Sequence, residues 1–173
     1  VMGWQWGGGW LAEIGFSDFA GSTLVHSTGG AAALAGIMLL GARTGRFDSK
    51  GQPKALQPFA ASSIPLVTVG VFILWLGWFG FNGGSQLAIG TFDDAVAVSS
   101  IFINTNLAAC GGVMAAATIT RLMYGKTDVV QMLNGAIGGL VAVTAEPLAP
   151  APFEAILIGA VGGLIVVFGT KLL

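Results

Sequence analysis

Long uncharged and mostly apolar runs alternate along the chain with short clusters of charged residues. The uncharged runs cover residues 19–42, 55–92, 95–120, 129–145 and 155–170. A helix needs about 20 mostly apolar residues to cross the hydrocarbon core of a bilayer, and about 17–25 are tolerated. The pattern therefore predicts five membrane-spanning helices. They cover approximately residues 19–42, 62–85, 97–120, 129–147 and 153–172.

The composition also indicates a membrane protein. Apolar residues make up 54% of the chain, charged residues 9%, and the mean hydropathy is +0.83, whereas about 25% of the residues of a soluble domain are charged. A net charge of −1 leaves no surplus of Lys and Arg for binding nucleic acid. The single cysteine, Cys110, excludes a disulfide framework and a thiolate metal site. We therefore predict an all-α, polytopic membrane helix bundle without a cofactor.

The basic residues predict how the helices are oriented, because Lys and Arg collect in cytoplasmic loops. They follow the first, third and fifth spans: Arg43, Arg46, Lys50, Lys54, Arg121, Lys126 and Lys171. The other connections hold only acids: Glu13, Asp93, Asp94, Glu146 and Glu154. We therefore expect the first span to begin outside the cell and the Lys171 end to be cytoplasmic.

Glycines predict close packing between these helices. The chain has 28 glycines, and several follow one face of the second, fourth and fifth spans: Gly77, Gly80, Gly84, Gly135, Gly139, Gly159 and Gly163. Helices in lipid associate through close backbone approach over small residues. The glycines have neither the spacing nor the flanking residues of a phosphate-binding loop. We interpret them as helix contact sites.

Another face of the second span carries a stripe of aromatic and polar side chains. Leu74, Trp78, Phe81 and Ser85 follow one another at i, i+4, i+7 and i+11, a spacing that places them on one side of a helix. Aromatic faces attract cations, and a serine hydroxyl accepts a hydrogen bond from a cationic donor. The alternative is that the aromatic residues face lipid or the membrane interface. The stripe is a candidate cation path with Ser85 at its outer end.

The only histidine, His26, lies within the first predicted span. An ionisable side chain at membrane depth is costly unless it is paired or lines a pore, so His26 is a candidate functional residue. Asp18 precedes it at the outer end of the same helix. This carboxylate could cap the helix, where it would accept backbone N–H bonds, or could act with His26.

Three segments occur in a familiar order: DFAGSTLVHSTGG at residues 18–30, WLGWFGFNGGS at 75–85 and NGAIGGLVAVTAEP at 134–147. They resemble the ammonium transporter family (Amt/MEP/Rh), with the second and third similar to its sixth and eighth helices. The resemblance covers nearly the whole chain. It implies that residues 1–173 are an internal piece of the transmembrane domain, running from the end of the fourth helix through the ninth of eleven. The implied fold is an inverted-repeat transporter.

The resemblance also assigns roles to individual residues. Trp6 and Ser85 match the external cation-recruitment site, and Phe81 matches the inner of two stacked phenylalanines that close the pore. Trp78 matches an aromatic residue of the pore wall, on the same stripe as Leu74.

Two further positions of the family's pattern concern protons. His26 matches the first of two pore histidines, and Asp18 matches an acid needed near the recruitment site. The second histidine and the other gating phenylalanine belong to helices that this chain lacks. We therefore expect that the chain alone does not conduct.

These residues favour transport of ammonium as neutral ammonia. A bare monovalent cation loses its hydration in a narrow apolar pore, whereas ammonium can leave its proton behind and potassium cannot. An imidazole with an ordinary pKa of about 6.5 could relay that proton. The alternatives are an ammonium sensor, a channel for another neutral gas such as carbon dioxide, and an enzyme, for which one histidine, one cysteine and scattered acids are a poor set.

The resemblance further implies partners and a location. A homotrimer is expected, in the plasma (inner) membrane, with one pore in each subunit. The loop between the first and second spans, residues 42–59, carries four basic residues that could contact anionic lipid. The resemblance adds docking of a PII-type signalling protein at the cytoplasmic face.

Overall fold

The computed structural model describes residues 1–48, 51–52 and 61–172, and its regular elements are helices. Two short helices, α1 (Met2–Gln5) and α2 (Trp10–Glu13), precede a π-helical turn, Ser22–Ser27, that continues into α3 (Thr28–Leu40). Four longer helices follow: α4 (Ile64–Gly84), α5 (Phe92–Tyr124), α6 (Val129–Val143) and α7 (Pro152–Leu172). The predicted all-α fold is confirmed.

A helix lies in each of the five predicted membrane segments. Four helical segments are long and apolar enough to cross a bilayer: Ser22–Leu40, α4, α5 and α7. Helix α6 is apolar but has only 15 residues, which is below the usual length of a spanning helix. The fourth span, at residues 129–147, therefore stays a prediction.

Helix α5 is longer than the uncharged run that predicted it. It begins beside a capping box, in which the Thr91 side chain accepts from Asp94 N and the Asp94 carboxylate accepts from Thr91 N, both at 3.1 Å. It ends at Gly125, whose φ of 71° is left-handed. The helix therefore includes charged residues at both ends, such as Arg121, because its caps rather than its charges set its limits.

Helices α5, α6 and α7 pack on one another through backbone contacts over small residues. A Cβ added at Gly135 would lie 2.6 Å from the carbonyl oxygen of Gly112 in α5, and one at Gly159 would overlap the backbone of Ala108. Gly139 and Gly163 are equally close to α5. The predicted contact role of the glycines in the fourth and fifth spans is confirmed.

For the second span the contact role of the glycines stays a prediction, because no described residue covers them. A Cβ added at Gly77, Gly80 or Gly84 would meet no atom within 4 Å. Gly83 is the glycine of α4 that is closely approached, by the ring of Phe102 in α5. Glycine spacing identifies a smooth helix face, but it does not show which neighbour covers that face.

The predicted cytoplasmic loop, residues 42–59, is described only in part. Lys50 and Lys54 lie outside the described residues. In the described portion, Gly45 and Gly51 have φ of 84° and 74°, conformations typical of turns.

Candidate functional site

His26 lies against two aromatic rings of α4. Its ring centroid is 5.0 Å from that of Trp78, with the planes only 8° apart, and 5.4 Å from that of Phe81, with the planes tilted by 49°. The centroids of Trp78 and Phe81 are 6.0 Å apart. We call His26, Trp78 and Phe81 the aromatic column. The structure thus brings together three candidate residues from two predicted spans, the first and the second.

The backbone that carries His26 is not ordinary α-helix. Residues Ser22–Ser27 form a π-helical turn, in which His26 N donates to Gly21 O at 3.1 Å, five residues earlier. Gly21 precedes the turn with φ of 108°, a value that favours glycine. Such turns are rare and occur frequently at functional sites. Helical periodicity predicted an α-helix here and gave no sign of the wider turn.

Asp18 holds the start of this turn through four backbone hydrogen bonds. Its Oδ1 accepts from Gly21 N at 3.0 Å and Ser22 N at 2.9 Å, and its Oδ2 accepts from Thr23 N and Leu24 N at 2.8 Å each. The side chain is 1% exposed. One carboxylate therefore satisfies four donors at the start of the helix, which would otherwise lack partners. These contacts are those of the capping alternative.

Trp6 packs on the segment that leads to His26. Its indole Nε1 donates to Asp18 O at 2.8 Å, and its ring would lie 3.1 Å from a Cβ added at Gly21. In the described ranges no hydrogen bond or ring contact joins Trp6 to Ser85, its predicted partner in recruitment. Trp6 bonds the segment before the His26 turn, whereas Ser85 lies at the end of α4.

The residues of the predicted stripe on α4 differ in their exposed fractions. Trp78 is 8% exposed, whereas Phe81 is 39% and Leu74 54% exposed. Ser85 follows the last residue of α4, and its hydroxyl donates to Phe81 O at 2.8 Å. Since that bond uses the hydroxyl proton, the Ser85 oxygen can act towards other groups only as an acceptor.

The Trp78 indole is fixed by a residue that the sequence analysis missed. Its Nε1 donates to Thr144 Oγ1 at 2.8 Å, and the Thr144 hydroxyl donates to Leu140 O at 2.6 Å. Thr144 is fully buried at the end of α6. The only available signal was a threonine within an apolar helix, which most often bonds its own backbone.

The end of α6 also holds the backbone that precedes the π-helical turn. Phe19 N donates to Ala145 O at 2.7 Å, Ala20 N donates to Thr144 O at 3.1 Å, and the Ser22 hydroxyl donates to Val141 O at 2.7 Å. These bonds join the first predicted span to the fourth. Sequence patterns carry no information on such pairings between residues more than 100 positions apart.

Two polar atoms near the column have no hydrogen-bond partner among the described residues. They are His26 Nδ1 and Asn82 Oδ1, both buried. Asn82 follows Phe81 in α4, and its Nδ2 donates to Thr105 Oγ1 at 3.0 Å. A buried polar atom without a partner is unfavourable, so each of these atoms is a position where a further group would be stabilised.

Comparison with known proteins agrees on one family. The family model described as "Ammonium Transporter Family" matches residues 1–173. The chain is 44% identical to ammonium transporter Amt2 of Archaeoglobus fulgidus, over 96% of this chain and 36% of that protein. It is 46% identical to a putative ammonium transporter of Synechocystis, over 98% of this chain and 38% of that protein.

Solved structures give the same result. A structure named "Sensor Amt Protein" matches 92% of this chain with a TM-score of 0.81 at 36% identity, and the match covers 38% of that protein. The crystal structure of Candida albicans Mep2 matches 98% of this chain with a TM-score of 0.78 at 32% identity, and the match covers 36% of that protein. The chain therefore spans a little over a third of the length of these relatives.

Proposed function

The chain belongs to the ammonium transporter family, and from that premise we propose that it supplies one wall of a path that carries ammonium nitrogen across a membrane. The described helices, four of them long and apolar enough to span a bilayer, belong to a multi-pass membrane protein. The observation that carries the proposal is the aromatic column, in which an imidazole on a helical segment long and apolar enough to span a bilayer stacks on Trp78 and lies beside Phe81.

The outer end of the path recruits the cation. The partly exposed Phe81 ring presents a π-face, and the Ser85 oxygen, four residues further along the chain, is an acceptor because its proton is donated to Phe81 O. Trp6 contributes a third group to this site when helices outside the chain complete it. Its exposed ring, 47% exposed, is consistent with such a shared position.

Beyond Phe81 the nitrogen continues as ammonia. Trp78 is buried in an apolar cluster with Ala109 and Leu140, and a cation that enters such surroundings loses its hydration at high cost. Ammonium avoids that cost by leaving a proton behind, whereas potassium has no proton to lose. Selectivity thus comes from obligatory deprotonation, with His26 as the group that accepts or relays the proton.

His26 requires a partner for this role. Its Nδ1 is buried and has no hydrogen bond within the described ranges. The second pore histidine implied by the family resemblance, which would come from a helix outside this chain, would supply one. A hydrogen bond between the two rings would fix the tautomer of His26 and leave its other nitrogen to face the path.

The test is ammonium uptake by vesicles that contain the longer protein of which this chain is part. We expect uptake above that of empty vesicles, and a clear change in rate or selectivity for Phe81→Ala. Phe79→Ala is the matched control, because Phe79 packs on Phe102 away from the column, with centroids 5.4 Å apart. Equal behaviour of the two variants would contradict the role of the column.

Ammonium sensing is a second candidate function. It is favoured by the match to a structure named "Sensor Amt Protein", at 36% identity. In a sensor the same site would bind ammonium without passing it on. A protein that binds ammonium in titration calorimetry but gives no uptake would support sensing over transport.

The assembly and partners are proposals of the same kind. We infer a homotrimer in the plasma (inner) membrane and a PII-type signalling protein at the cytoplasmic face. Mass measurement in detergent tests the first, and co-purification with a PII-type protein tests the second. A monomer in mild detergent would contradict the trimer.

A further inference from the structure

We propose that Thr144 is a positioning residue, whose hydroxyl sets the orientation of the Trp78 indole and through it the position of the His26 ring. The inference rests on the proposed function, because it assigns a role to Thr144 in the same path. It concerns a residue that the pattern of the sequence does not single out.

The direction of the hydrogen bonds at Thr144 is determined by its own helix. A threonine hydroxyl has one proton, and here that proton is donated to Leu140 O at 2.6 Å. Towards Trp78 the oxygen can therefore act only as an acceptor, and it accepts the indole N–H at 2.8 Å. If the indole rotated away from this orientation, its N–H would lose the bond to Thr144 while it stayed buried. A buried N–H without a partner is costly.

The orientation of the indole affects His26 because the imidazole stacks on it. The planes of His26 and Trp78 are 8° apart with centroids 5.0 Å apart. A rotation of the indole would leave His26 without its stacking surface and would move both rings within the path. Small displacements of such groups can reduce rates by orders of magnitude.

The backbone of Thr144 bonds the segment that precedes the turn carrying His26. Its carbonyl oxygen accepts from Ala20 N at 3.1 Å, just before the turn that carries His26. The same residue thus bonds Trp78 through its side chain and the segment that leads to the His26 turn through its backbone. Replacing the side chain leaves the backbone bond in place, so the role of the hydroxyl can be tested alone.

The experiment uses the longer protein, with Thr144→Val, which removes the hydroxyl at nearly constant volume, and Thr144→Ser, which retains it. Thr120→Val is the matched control, because Thr120 is also fully buried and also donates to a carbonyl four residues earlier, Ala116 O at 2.7 Å. It makes no contact with the aromatic column in the described ranges. Each variant is measured for ammonium uptake and for the ultraviolet resonance Raman bands that report indole N–H hydrogen bonding.

We expect Thr144→Val to lose the band of one hydrogen-bonded indole and to lower ammonium uptake about tenfold, a change that corresponds to about 1.4 kcal/mol. Thr144→Ser should restore both properties, and Thr120→Val should change neither. Loss of the band with unchanged uptake would overturn the positioning role. An unchanged band in Thr144→Val would overturn the hydrogen bond itself.

A second variant covers the case in which Thr144→Val does not fold. Trp78→Phe removes the indole donor and keeps a ring, so it should lower uptake on its own, and unchanged uptake in Trp78→Phe would contradict the proposal. Where Thr144→Val folds, adding it to Trp78→Phe should lower uptake no further. Effects that multiply fully would contradict the proposal. A wild-type protein without ammonium uptake would refute the proposed function instead, while the Raman comparison would still decide whether Thr144 holds the indole.

Discussion

At the residue scale, Asp18 shows how one buried carboxylate prepares the site. Its two oxygens accept four backbone N–H bonds at the start of the turn that carries His26. The sequence analysis left capping and a role beside His26 as alternatives. The four bonds are those of a cap, and the role beside His26 stays a prediction.

We expect Asp18→Ala to lower the free energy of unfolding by about 2 kcal/mol or more, since a lost cap costs about 0.5–2 kcal/mol and here four donors lose their acceptor. Asp128→Ala is the control, because Asp128 caps α6 through a single bond from Gln131 N in an exposed place. Thermal unfolding of both purified variants measures the difference. Equal losses of stability would contradict the account of Asp18.

Gly21 is the second residue on which the turn depends. We expect Gly21→Ala to destabilise the protein by about 1–3 kcal/mol, because its φ is 108° and a Cβ would lie 2.6 Å from Val25 Cγ2. Gly15→Ala, at φ of 83° with open space around it, separates backbone strain from the clash. The same unfolding measurement applies, and a smaller effect at Gly21 than at Gly15 would show that the turn tolerates a side chain.

At the scale of helices, the sequence predicted more of the structure than of the site. Apolar runs located a helix in all five segments because burial in lipid requires long apolar stretches. The ends of α5 were missed, since a capping box at Thr91 and a left-handed Gly125 set them. The contact between His26 and Trp78 was not predictable, because helical periodicity shows which residues share a face but not which faces meet.

Close packing of α7 on α5 gives a prediction for a single methyl group. Gly159→Ala should force the helices apart and destabilise the protein by about 1–3 kcal/mol, because its Cβ would overlap the backbone of Ala108. Gly169→Ala, in the same helix with no atom within 4 Å of an added Cβ, is the control. Thermal unfolding in detergent checks the pair, and an equally stable Gly159→Ala variant would show that this interface can relax.

At the scale of the whole molecule, the distribution of charge predicts the orientation of the helices in the membrane. A cysteine introduced at exposed Ala149 should react with an impermeant thiol reagent from outside the cell, and one at exposed Thr127 only from the cytoplasm. Labelling of intact and opened cells makes the comparison. Reversed labelling would invert the path and place Ser85 at its inner end.

The central claim is that nitrogen crosses only after it gives up a proton in a path lined by His26. The most direct measurement compares ammonium and potassium flux in vesicles that contain the longer protein, for the wild type and for His26→Ala. Obligatory deprotonation predicts ammonium flux without potassium flux in the wild type, and an altered ammonium rate or a gain of potassium flux in the variant. Unchanged rate and unchanged discrimination in His26→Ala would contradict it.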